Sequence, residues 1–171
     1  MSSTQENLQS AFAGESQANR SYLFFAEKAE SEGYPGVARL FRAVAEAETV
    51  HARSHLNTMG GIGSTGENLQ SAIDGENYEF TRMYPGFIEQ AKADGNKRAE
   101  VTFERANEVE KIHHGLYQEA LDSLGAGQEV KDKPYFVCEI CGYTVAGKAP
   151  DKCLICGAPI GKFKRVGYFL A

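Results

Sequence analysis

No run of about 18 apolar residues occurs in the chain, so no membrane-spanning helix is expected. Basic excess is missing too. Against 18 Lys and Arg stand 23 Asp and Glu, a net charge of −5 with pI near 5.4, which argues against nucleic acid as a partner. The first residues, MSSTQEN, lack the charged-then-apolar layout of a secretory signal, which leaves a cytoplasmic location as the expectation. Cysteine is scarce: four in 171 residues, all in two CxxC pairs near the C-terminus. In a reducing compartment that arrangement points to a bound metal rather than to disulfides. The length allows one ordinary core and a small second one.

What is present is a duplication. Residues Glu6 to Ala11 read ENLQSA, and residues Glu67 to Ala72 read ENLQSA again. Each copy continues through a Gly-Glu pair into an ExxH, giving Glu15, Glu48 and His51 first, then Glu76, Glu110 and His113. A unit of this length repeated once predicts two helical hairpins packed as a four-helix bundle. Residues three apart on a helix share a face, so Glu48 with His51 and Glu110 with His113 can each grip an ion. Glu15 and Glu76 face them from the other helices. One Glu from each of two helices, with Glu-x-x-His from each of the other two, is the ligand formula of ferritin-like di-iron and di-manganese carboxylate bundles. Mixed carboxylate and imidazole donors suit iron or manganese.

Local signals delimit the helices. Ser3 with Glu6, and Ser64 with Glu67, have capping-box spacing. The first helix should end near Glu32 at Gly33, with Pro35 opening the second. Residues Gly60 to Gly66 form the crossover, the third helix starts near Thr65, and Gly95 lies at its end. Predicted domains are residues 1–124 for the bundle, 125–134 for a linker, and 135–171 for a small cysteine domain. Phe24, Phe25, Phe41 and Phe103 are read as core. His55 is read as packed or solvent-linked and His114 as surface.

The two copies differ by one residue. Their offset is 61 from ENLQSA through Glu15 and Glu76, but 62 from Tyr22 and Tyr84 through His51 and His113. One residue has entered between Glu76 and Tyr84, and an extra residue within a helix is how a π-bulge arises. Pro85 follows, so irregularity is expected between Glu76 and Pro85. The same stretch carries Glu79, whose counterpart is Ala18. Five clustered carboxylates require compensating metal charge or protons. The extra acid is useful mainly when the site must also hold an oxidised metal pair.

These motifs, with GES at Gly14, ETVH at Glu48, ENYE at Glu76, MYP at Met83 and EKIH at Glu110, resemble the rubrerythrin family over nearly the whole chain. The resemblance implies a non-haem di-iron peroxidase that reduces hydrogen peroxide to water in oxidative-stress protection, usually as a homodimer. It implies Glu15, Glu48, Glu76, Glu79, Glu110, His51 and His113 as iron ligands, one iron moving between His51 and Glu79 with redox state. Tyr22 and Tyr84 correspond to tyrosines that hydrogen-bond the ligating carboxylates. A separate redox donor protein, of rubredoxin or flavoprotein type, is the implied partner. A ferroxidase or iron-handling protein is the alternative, and a zinc-ribbon scaffold the third reading.

Cys138, Cys141, Cys153 and Cys156 form CxxC, eleven intervening residues, and CxxC, each pair followed by glycine. Such knuckles make a tetrahedral four-thiolate site for iron or zinc. The resemblance to a rubredoxin-like tail favours iron, with Tyr135, Phe136, Tyr143 and Phe163 as a small aromatic core, and implies a one-electron relay to the di-iron pair. Residues 135–171 carry a net +3, leaving −8 on the rest, so the two parts should attract. The expected docking surface is a bundle of the partner chain.

Overall fold

The computed structural model describes residues 3–128 and 132–167. Residues 129–131 of the expected linker, and 168–171 of the expected tail, lie outside the described residues. The fold is mainly helical, with a small stranded domain at the C-terminal end. Two compact units divide it, Met1–Gly63 and Ser64–Ala171, and each is described by itself.

The first unit is a hairpin of α1 (Thr4–Ser31) and α2 (Pro35–Thr58). Ser3 caps α1 through a reciprocal pair: its hydroxyl accepts from the Glu6 N–H, and the Glu6 carboxylate accepts from the Ser3 N–H. The chain turns at Gly33, whose φ of +83° is open to glycine at no steric cost, and the Tyr34 N–H returns to the Ala29 carbonyl. Proline then occupies the start of α2, where a missing N–H costs nothing. Ala26, Ala29, Ala38 and Ala45 line the seam, small enough to let the helices close together. Asn19 on α1 stitches across it, donating to the Ala45 carbonyl at 2.7 Å and the Thr49 hydroxyl at 2.9 Å.

Phe41 packs on the alanine cluster, as expected of a core residue. Phe24 and Phe25 do not conform: they are 57% and 50% exposed. A two-helix seam filled by alanines leaves no interior for them, so they occupy the flanks of the hairpin.

In the second unit, α3 (Thr65–Tyr78) begins with the same reciprocal cap at Ser64 and Glu67. It runs into a π-helical turn, Glu79–Met83, and then α4 (Tyr84–Ala93). The Tyr84 N–H reaches back five residues to the Glu79 carbonyl, the wider spacing that accommodates one extra residue without breaking the rod. The irregularity expected from the offset therefore falls within the stretch read from the sequence. After a turn at Gly95, α5 (Lys97–Gly125) returns along α3 and α4. Tyr84, Phe87 and Phe103 meet between α4 and α5 with ring centroids 5.5–6.2 Å apart.

The stranded domain is an antiparallel sheet in the order β2-β1-β3, built from β1 (Tyr135–Cys138), β2 (Thr144–Ala146) and β3 (Phe163–Arg165). Tyr143 and Phe163 pack edge to face, 6.1 Å apart. Tyr135, expected in this core, is exposed at the strand's start. The core is completed by α5: Val109, 2% exposed, packs with Cys138, Tyr143 and Cys153, and Ile112 lies beside them. Within this chain the domain packs on α5 through apolar contact.

Candidate metal centres

The ExxH spacing does what helix geometry requires. In the first unit the His51 Nδ1 lies 2.9 Å from Glu48 Oε2 and 3.9 Å from Glu15 Oε1. In the second the His113 Nδ1 lies 2.7 Å from Glu110 Oε2 and 3.8 Å from Glu76 Oε1. The duplication thus survives as geometry. Each triad presents one imidazole nitrogen and two carboxylate oxygens within 4.8 Å of one another, a donor set that fits an iron ion.

Electrostatics in the second triad point the same way. Partial burial and the neighbouring Glu110 carboxylate push Glu76 up to about 7, with Glu79 adding to the repulsion. Burial, then Glu110, also raises Glu79. The hydrogen bond that its ring N–H donates to the Glu110 carboxylate raises His113 against the opposing effect of burial. A proton shared among carboxylates and imidazole is what such a cluster holds when no cation is near. A divalent ion would displace it and reverse the shifts.

Glu79 opens the π-helical turn and faces the second triad's charges, although it is not within the close three-residue group. Tyr84, raised by burial and then by Glu79, Glu110 and Glu76, borders the same cluster. Tyr22 packs against Phe25 and Phe41 in the first unit. His55 is half-buried. His114 is half-buried as well, its ring edge-on to Phe80 at 5.6 Å, not at the surface as expected.

Two neighbours had not been assigned a role. Tyr117, one helical turn past His113, is raised by burial and then by Glu76 and Glu110, so it borders the second triad. Its place on the inner stripe of α5 was the available signal. Thr144 of β2 meets His113 Nε2 at 3.0 Å. No sequence pattern announces that contact, because it depends on how the sheet seats on α5.

The four cysteines form the second centre. Cys138 and Cys156 sulfurs are 3.7 Å apart, and Cys141 and Cys153 sulfurs 3.5 Å. A tetrahedron with metal–sulfur bonds of about 2.3 Å has edges of about 3.8 Å, so the cage fits one ion. Both knuckles share one construction. The Gly142 and Gly157 N–H groups return to the Cys138 and Cys153 carbonyls at 2.8 and 3.0 Å, and both glycines have φ above +70°. Burial works to raise Cys153, but N–H groups of Cys156 and Ile155 aimed at its sulfur outweigh it and bring it down to about 7. Burial raises Cys141 and Cys156. A metal bound here would replace those thiol protons.

Comparison with known proteins agrees with both centres. The family description Rubrerythrin matches residues 6–121, and "Rubrerythrin, rubredoxin-like domain" matches residues 136–164. Rubrerythrin-2 of Clostridium acetobutylicum is 39% identical, over 94% of this chain and 95% of that one. Nigerythrin of Nitratidesulfovibrio vulgaris is 36% identical, over 94% and 85%. A solved nigerythrin structure described as fully reduced and all ferrous aligns with TM-score 0.58 and 35% identity, covering 97% of this chain and 88% of that one. With a Glu/His ligand set in each unit for a di-iron centre, and a four-cysteine rubredoxin-like site, this chain belongs to the rubrerythrin family.

Proposed function

We propose that this protein is a cytoplasmic non-haem di-iron peroxidase, reducing hydrogen peroxide to two waters with electrons delivered through the four-cysteine iron. The observation that carries the reading is the pairing, in one chain, of two equivalent Glu/Glu/His triads with a four-thiolate site packed on the helix that bears one of them. Residues 1–124 serve as the oxidoreductase module, 125–134 as the linker and 135–171 as the relay. The iron ligands of this reading are Glu15, Glu48 and His51 in the first unit and Glu76, Glu79, Glu110 and His113 in the second, and the working form is a homodimer. Bound there, the iron pair supplies two electrons at once, so that the O–O bond is broken without releasing hydroxyl radical.

The chain's own groups handle protons and position. Glu79, its acidity weakened by burial and then by Glu110, is the group suited to pass a proton to a departing oxygen. Its place at the start of the π-helical turn lets it approach or leave the metals with little backbone change. Tyr84 and Tyr117 line the cluster with phenols too weakly acidic to ionise there. An internal electron donor suits a turnover enzyme better than an iron store.

Supplying electrons to the four-cysteine iron from a rubredoxin or flavoprotein donor, under anaerobic conditions, tests this. Two electrons consumed per peroxide, with iron retained, is the expected stoichiometry. Uptake and mineralisation of ferrous ions without catalytic peroxide loss would point to a ferroxidase instead.

A further inference from the structure

The two triads are alike on the Nδ1 side of their histidines and unlike on the other. His113 Nε2 lies 3.0 Å from the Thr144 hydroxyl oxygen, whereas His51 is 56% exposed and has no such contact among the described residues. Thr144 in turn donates its single hydroxyl proton to the Gly142 carbonyl at 3.0 Å. A hydroxyl that has spent its proton can only accept from the imidazole, so His113 must carry a proton on Nε2. Nδ1, facing Glu110 and Glu76, is then the atom left to coordinate.

We propose that Thr144 is a positioning residue: it fixes the tautomer and ring orientation of His113, committing Nδ1 to the metal, and ties that ligand to the cysteine knuckle through Gly142. Two consequences follow. A metal-ligating imidazole whose distal N–H is held by an acceptor binds better and holds its angle. Gly142 follows Cys141 directly in the chain, so the sheet cannot shift on α5 without disturbing His113.

The inference rests on the metal-centre reading of the Glu/His triads, and a test on the zinc-loaded full chain separates the two. Zinc is diamagnetic, and nitrogen-15 correlation spectra report which ring nitrogen is protonated and which is metallated. For His113 the expected spectrum has zinc on Nδ1 and a slowly exchanging proton on Nε2. Thr144→Val leaves only the Gly142 carbonyl beside that nitrogen, so its proton should exchange markedly faster and zinc should bind at the triad about 10- to 100-fold more weakly. Thr144→Ser should restore both, because it keeps the hydroxyl and discards only the methyl. Metallation of His113 through Nε2, or an unaltered proton signal in Thr144→Val, would overturn the proposal while leaving the metal centre intact. Equal impairment of the Ser and Val variants would also overturn it, assigning the effect to packing. Zinc bound only at the four cysteines would overturn the centre itself.

Discussion

Glu76 records what a carboxylate cluster costs a protein before metal arrives. Its folded pKa is raised to about 7 from the ordinary 4.5, by burial first and Glu110 second. The sign follows from linkage: between pH 4.5 and 7 the unfolded chain has released this proton while the folded chain keeps it. The metal-free protein should therefore lose stability as pH rises through that window. Thermal melts of chelated protein from pH 4.5 to 7.5 should trend downward from this cluster, and ferrous loading should flatten or invert the trend. A melting temperature that rises across the window in the metal-free state would refute this picture. Glu79 gives the second residue-scale prediction. Glu79→Gln keeps the shape and removes the exchangeable proton, so peroxide turnover should fall about 10²-fold with iron content unchanged. Wild-type turnover in that variant would remove Glu79 from proton delivery.

At the level of elements, the decisive feature is the π-helical turn at Glu79–Met83, which absorbs the residue by which the second copy exceeds the first. Deleting Thr81 should convert the turn to an ordinary helix while the stretches on either side keep their faces, because the turn is what takes up the extra residue. Helix content by circular dichroism should be nearly unchanged, but Glu79 should be re-aimed and peroxide turnover should fall. Unchanged turnover would mean the bulge does not aim Glu79. The caps give a smaller prediction: Ser64→Ala should cost about 1 kcal/mol in denaturant unfolding, because the Glu67 N–H loses its partner. Both features were legible in the sequence, since a capping box and a one-residue offset are local facts that helical hydrogen bonding must accommodate. Phe24 and Phe25 were misread for a related reason: apolar periodicity marks a face but does not say what covers it.

On the scale of the whole molecule, the account joins a two-electron site to a one-electron supply. The clustering of these side chains was readable because three-residue helical spacing and CxxC knuckles dictate their own geometry. The seat of the cysteine domain was not readable, because charge complementarity gives attraction without an address. Val109 and Ile112 provide that address on α5, and Thr144 reaches His113 only because of it. Breaking the four-cysteine cage with Cys153→Ser should abolish the visible absorption of its iron. Steady-state peroxidase activity should then be lost, while a single chemically reduced turnover remains. Unimpaired steady-state activity would show that electrons enter elsewhere. The central claim is tested most directly by anaerobic stopped-flow mixing of fully reduced protein with one equivalent of hydrogen peroxide. The account predicts rapid two-electron oxidation of the paired irons, much faster than with the same amount of dioxygen. Irons that stay ferrous with peroxide, or that react faster with dioxygen, would contradict it.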